Sequence, residues 1–180
     1  LGAPGFFTSS SQIGVAIEML QSAKKPLKQN QRIRIHIGTQ EVMARVSLVI
    51  NRELLPGKAC PALLKLESTV TASIGDRFII RTYSPMVTIA GGEVFDNQIT
   101  GKWTAIKTYL QNLYDSESGI KIPYLIENCG ARPMSQGNVR LKFGYSDSRL
   151  GKSLEEHPEM YRVRLNRDEW LVTENQIKEL

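Results

Sequence analysis

The sequence predicts a mainly β chain with a helical tail: a six-stranded antiparallel β-barrel over residues 6–97, then a smaller α+β domain over residues 98–180. Three observations carry this. Up to Asp96, short segments alternate apolar and polar residues with period two, and Gly, Pro and Asn separate them at regular intervals. No helical spacing interrupts them, and closing so small a sheet removes the edges it would otherwise expose. Beyond Gly101 the apolar residues recur every three or four positions instead.

Taken in order, Leu1 to Gly5 reads as the exit from an earlier segment, since the chain opens on Leu rather than Met. Phe6 to Leu20 alternates at Ile13, Val15 and Ile17 and forms the first strand. Ala23 to Asn30 is a loop, kept out of a strand by Pro26 and solvated by Lys24, Lys25 and Lys28. Gln31 to Leu48 is a hairpin. Arg32, Arg34 and His36 share one face of its first strand while Ile33, Ile35 and Ile37 share the other; Gly38-Thr39-Gln40-Glu41 turns the chain, and Val42, Ala44 and Val46 resume the apolar side.

Pro56-Gly57 signals a type II turn. Ala62, Leu64 and Leu66 make a further strand, Thr69 to Ala72 is short and extended, and Ile74 to Arg77 turns into Phe78 to Tyr83. Met86 to Phe95 is the last barrel strand, with Gly91-Gly92 marking a bulge or a close backbone approach.

A domain boundary falls at residues 97–101. Trp103, Ile106, Leu110, Leu113 and Tyr114 define an amphipathic helix over Lys102 to Asp115, and Ile122, Leu125, Ile126 and Cys129 define a second that stops at Gly130. Ser146 caps a third helix through Leu150 and Leu154 that ends before Pro158. Met160 to Leu165 and Glu169 to Val172 then form a hairpin, and Asn175 to Leu180 begins a further unit. Helices followed by a two-stranded hairpin is the order of a winged helix.

The composition, 41% hydrophobic and 23% charged, is that of a packed globular chain. No apolar run reaches the roughly 20 residues needed to span a bilayer, and a soluble, cytoplasmic protein without a membrane partner is expected. The formal charge of +5 is uneven: 11 Lys and Arg stand against 7 Asp and Glu up to Asn97, and 12 against 11 beyond it. That excess suits an RNA or other polyanion partner.

Cys60 and Cys129 are far apart in sequence and only His36 and His157 are present, so no disulfide framework or metal site is indicated and both thiols are expected to be buried. No phosphate-cradling glycine loop, nucleophile elbow or paired-carboxylate arrangement occurs. Catalysis by this chain alone is therefore not expected.

Arg32, Arg34, His36 and Arg45 form either an ordinary solvated strand face or a polyanion-binding one, with Arg77 and Arg81 able to extend it; guanidinium groups match phosphate oxygens in fork geometry. Arg149, Lys152, Arg162, Arg164 and Arg167 are laid out like a nucleic-acid reader in the second half, but Glu155, Glu156, Glu159, Asp168 and Glu169 lie among them. A scaffolding role there stands equally open.

The spaced motifs HIGTQEVMARV, GDRFIIRTYSP and TIAGGEVFD, with APGFFTSSSQIGVAIEML and LLPGKACPALLKLESTV, resemble the third domain of the elongation factor Tu superfamily, and within it the bacterial selenocysteine-specific factors. The resemblance covers roughly the first 96 residues; the second half agrees only in position and element order. It implies an internal piece of a translational GTPase that delivers selenocysteinyl-tRNA to the ribosome at recoded UGA codons.

In that family GTP and Mg lie in an upstream domain, so no cofactor is implied for this piece. The messenger-RNA hairpin is implied to bind later winged helices. The third domain is implied to touch the T-arm backbone of tRNA through Arg32, Arg34, His36, Gly38, Thr39 and Gln40, with Arg81, Gly91 and Gly92, and to link that grip to the mRNA-binding arm. The alternatives are a protein-interaction scaffold and the same region of another translational GTPase.

Overall fold

The structure, a computed structural model, describes residues 9–115, 134–143, 146–155, 157–158, 160–165 and 168–178. The helix expected around Ile122 to Cys129 lies outside them. Two compact units are present, one over Phe7–Tyr114 and the other among the described residues beyond. The first extends past the boundary expected at 97–101, because the helix that follows packs on the barrel.

Six strands close that barrel in the order β1-β6-β4-β3-β7-β8, all antiparallel: β1 (Ser9–Met19), β3 (Arg32–Ile37), β4 (Gln40–Leu48), β6 (Ala59–Thr71), β7 (Arg77–Arg81) and β8 (Thr88–Asp96). The two segments expected on either side of Glu67 are one continuous strand, β6. Inside the loop expected from Ala23 to Asn30, β2 (Leu27–Lys28) pairs with β5 (Glu53–Leu54) as a small ribbon.

Period-two alternation decides which side chains enter the barrel. Ile33, Ile35 and Ile37 are fully or almost fully buried, and Ile13, Val15, Ile17, Ala44, Val46, Leu64, Phe78 and Ile80 join them in one core. Burying each large aliphatic side chain contributes about 1.5–3 kcal/mol. Turn chemistry sets the register. Gly38 and Thr39 are the only residues between the paired Ile37 and Gln40; Gly38 has φ 55° and Thr39 is not left-handed, the pattern of a II′ hairpin turn. Gly57, at φ 72°, occupies the left-handed position of the expected type II turn, closed by the Lys58 N–H donating to Leu55 O at 3.1 Å.

Helix α1 (Trp103–Asp115) lies on the outer side of β1 and β6, where Ile106 and Leu110 pack with Val49, Leu63 and Ile99. A Cβ on Gly14 would sit 2.3 Å from Ile99 Cδ1 and 2.5 Å from Leu110 Cδ2, so the missing side chain of β1 makes room for this layer. Tyr109 fastens the helix by donating its hydroxyl to Asp96 Oδ2 at 2.9 Å.

In the second unit, β9 (Met134–Ser135), β10 (Met160–Leu165) and β11 (Asp168–Thr173) form a three-stranded sheet in the order β10-β11-β9. It accompanies α2 (Gln136–Phe143), α3 (Asp147–Glu155) and the short α4 (Glu174–Lys178). The hairpin and the Ser146-led helix fall where the sequence placed them. Thr173 and Gln176 start α4 as a capping pair: the Gln176 N–H donates to Thr173 Oγ1 at 3.4 Å and the Thr173 N–H to Gln176 Oε1 at 3.2 Å.

Candidate nucleic-acid interface

Residues directly opposite each other in an antiparallel pair point to the same side of the sheet. The outward residues of β3 therefore define three rows across the barrel wall. Arg32 faces Arg45 on β4, which faces Lys65 on β6. Arg34 faces Met43 on one side and Arg81 on the other, and Arg81 faces Thr88. His36 faces Glu41 and Ile79, and Ile79 faces Gly91. Arg32, Arg34, His36 and Arg81, set 49 positions apart at their extremes, thus share one continuous surface.

Two carboxylates are built into this surface. Glu67 accepts two hydrogen bonds from Arg32, Nε to Oε1 at 2.7 Å and Nη2 to Oε2 at 2.6 Å, the bidentate geometry that guanidinium and carboxylate favour. That hydrogen bond holds the Glu67 carboxyl below the usual carboxylate range and raises Arg32 above its ordinary value. Arg34 is paired with Glu41 through Nη1, and His36 Nε2 lies 3.5 Å from the other Glu41 oxygen. The Tyr83 ring lies beneath the Arg32 guanidinium, 5.1 Å from its centroid.

Arg45 and Lys65 have no carboxylate within ion-pair distance among the described residues, and Arg45 Nη1 donates to Asn30 O at 3.4 Å. Arg81 is aimed by Thr88, to which its Nε donates at 3.2 Å. The face is a cationic strip in which acidic partners hold Arg32 and Arg34 and neutral ones aim Arg45 and Arg81. Such a strip can exchange carboxylate for phosphate oxygens without reshaping its backbone.

The remaining expected residues divide. Gly38 and Thr39 sit exposed at the hairpin tip. Gln40 has an internal duty, accepting the Thr71 N–H on its Oε1 at 2.9 Å and pinning the hairpin to the end of β6. Gly91 lies in the outward row of His36. Gly92 marks a close approach: a Cβ there would meet Ala16 O at 2.1 Å and Phe78 Cζ at 2.5 Å. The irregularities of β8 pairing fall instead beside Gly14 and Ile80.

In the second unit Lys152, Arg162 and Arg164 are exposed, with Arg164 opposite Glu169. The Arg149 side chain and Arg167 lie outside the described residues. Cys60 is buried and its thiol is pushed up to about 11 by that burial; Cys129 lies outside the described residues. Among the described residues no group of three metal-binding side chains occurs and no helix is long and apolar enough to cross a membrane.

The sequence pattern missed the acidic partners. Glu67 comes from a strand 35 residues away, and its place beside Arg32 depends on the barrel order. Lys65 was hidden in the same way; only the alternation of exposed Lys65 and Glu67 about Leu66 signalled that both point outward.

Residues 15–100 match the family model described as "Selenocysteine-specific elongation factor, beta-barrel domain". The selenocysteine-specific elongation factor of Desulfomicrobium baculatum is 29% identical over 82 residues, 46% of this chain and 13% of the relative. A crystal structure of a bacterial selenocysteine-specific elongation factor superposes with a TM-score of 0.67 at 17% identity, over 98% of this chain and 26% of that one. The chain thus spans a small part of each relative's length.

Proposed function

We propose, from the match of residues 15–100 to the β-barrel domain of selenocysteine-specific elongation factors, that this chain grips the tRNA T-arm through its β3–β4–β7 face. It then links that grip to the mRNA-binding arm of a longer translational GTPase. GTP hydrolysis belongs to a domain outside this chain, and the ribosome and selenocysteinyl-tRNA are partners of the whole protein. Arg32, Arg34, His36 and Arg81 contact phosphates, with Gly38 and Thr39 at the hairpin tip and Gly91 allowing the strand to approach closely. Gln40 supports that surface by tying the hairpin to the end of β6, and Gly92 by letting β8 approach β1 closely. Contacts of this kind fix position on A-form RNA by shape and backbone, without reading bases.

The observation that carries the reading is the row that sets Arg34 opposite Arg81, beside the row of Arg32, Arg45 and Lys65. Four strands, β3, β4, β6 and β7, set their cations on one wall while their other sides fill the core. A scaffold reading has its own support: Arg32 and Arg34 already hold Glu67 and Glu41, as residues of an ordinary solvated face do.

Titration with selenocysteine tRNA, an elongator tRNA and the mRNA hairpin at two salt concentrations separates the two readings, with Arg32→Glu/Arg34→Glu run beside the wild type. Salt-sensitive tRNA binding that the variant loses, with the hairpin ignored, is the expected result. tRNA binding that the double variant retains in full would leave the scaffold reading in its place.

A further inference from the structure

A second cationic site lies at the edge of the basic face. Lys28 on β2, Arg52 beside β5 and Lys107 on α1 line a cleft of about 670 Å³ whose wall includes Gln29, Asn30 and Asn51. These cations are distant in sequence, and the barrel brings them together. The one acid lining the cleft, Glu53, is paired with Lys28 at 3.5 Å, while Arg52 and Lys107 have no carboxylate within ion-pair distance among the described residues. The volume is that of a small-molecule pocket, ample for a phosphate and its sugar.

The cleft is rigidly framed. Gln29 accepts the Leu48 N–H on Oε1 at 2.6 Å and donates its own N–H to Arg52 O at 2.8 Å. Asn30 holds a left-handed backbone, φ 60°, and donates its N–H to Val46 O at 2.7 Å. Asn30 is also the acceptor for Arg45, so the cleft and the row of Arg32, Arg45 and Lys65 meet at this residue.

We propose that this cleft is a second phosphate subsite, occupied by the backbone of the same RNA that lies on the β3–β4–β7 face and reached through Arg45. The inference rests on the proposed RNA-binding role of that face. Charge complementarity and continuity through Arg45 and Asn30 favour a nucleic-acid strand over an acidic protein, whose carboxylates would have to follow the same path.

The test uses the whole 180-residue chain and an RNA containing a T-arm-like duplex, titrated across a range of salt. The cleft variant is Lys28→Gln/Arg52→Gln/Lys107→Gln. The control, Lys24→Gln/Lys25→Gln/Lys58→Gln, removes the same charge from exposed lysines outside the cleft. The cleft variant is expected to flatten the salt slope by about 2, with the control close to wild type. If the triple variant fails to fold by circular dichroism, Arg52→Gln and Lys107→Gln singly carry the test, each flattening the slope by about 0.7–0.9.

Equal slopes in cleft variant and control would overturn the subsite, and the face itself stands provided Arg32→Glu/Arg34→Glu loses RNA in the same assay. An RNA that wild type does not bind would overturn both. Pyrophosphate is the remaining arm: amide shifts at residues 28–30 and 50–53 on pyrophosphate addition, with no change of RNA slope in the cleft variant, would assign the cleft to a free anion and contradict the RNA proposal.

Discussion

The outer wall of this barrel has two characters. Along β3, β4 and β7 the outward positions include Arg32, Arg34, His36, Arg45 and Arg81, with Glu41, Met43 and Ile79 among them; along β1 and β6 they include Gly14 and Leu63, covered by Leu110 and Ile106 of α1. The inner positions of both walls are the same kind of aliphatic residue. Only the outward half of the period-two pattern differs, and it separates a wall that must be covered for stability from one that is free to carry charge. A sheet buried on both sides reads as a continuous apolar run, as Pro61-Ala62-Leu63-Leu64 does.

The largest effect that sharpens this contrast is on the covered wall. Leu110 is fully buried, and Leu110→Ala is expected to cost about 2–5 kcal/mol in urea unfolding while leaving RNA affinity of the folded protein unchanged. Gly92→Ala comes next. Its added Cβ collides with the Ala16 carbonyl, and a loss of about 1–3 kcal/mol is expected, again by denaturation. Unchanged stability for Gly92→Ala would restore Gly92 to the ligand-facing set.

On the charged wall the expected signs reverse. Glu67→Gln removes the acid held by Arg32, so unfolding should barely change while the salt slope of RNA binding steepens by up to about 0.9 as Arg32 becomes free for phosphate. The pH dependence has a fixed direction. Glu67 titrates below the ordinary carboxylate range in the folded chain because of the Arg32 hydrogen bond. Its small stabilising contribution is present above the unfolded value and disappears as pH falls through the lowered folded one. Acid unfolding curves of wild type and Glu67→Gln should therefore converge at the acid end.

How much of this could be read from the sequence follows from which forces are local. The Arg-Ile alternation of β3, the Gly38 turn and the Pro56-Gly57 turn are properties of a few adjacent residues, and the barrel strands they imply are present. The α1 helix was equally visible from its spacing, but its docking surface was not: that depends on Gly14 and Leu63, about 50 residues apart, becoming neighbours across β1 and β6. The same reason hid Glu67 beside Arg32, Lys65 beside Arg45, and the meeting of Lys28, Arg52 and Lys107. Helix α2 was obscured differently. Gly137 weakens its propensity and Gly144 follows its end, so no periodic apolar stripe marks it.

Amide chemical-shift mapping of the chain during titration with selenocysteine tRNA tests most directly which wall meets RNA. Perturbations concentrated at residues 32–36, 38–39 and 79–81, with residues 14, 63 and 110 of the covered wall unmoved, are the expected outcome. Shifts centred on the α1-covered wall, or none on β3 and β7 at saturating tRNA, would contradict it.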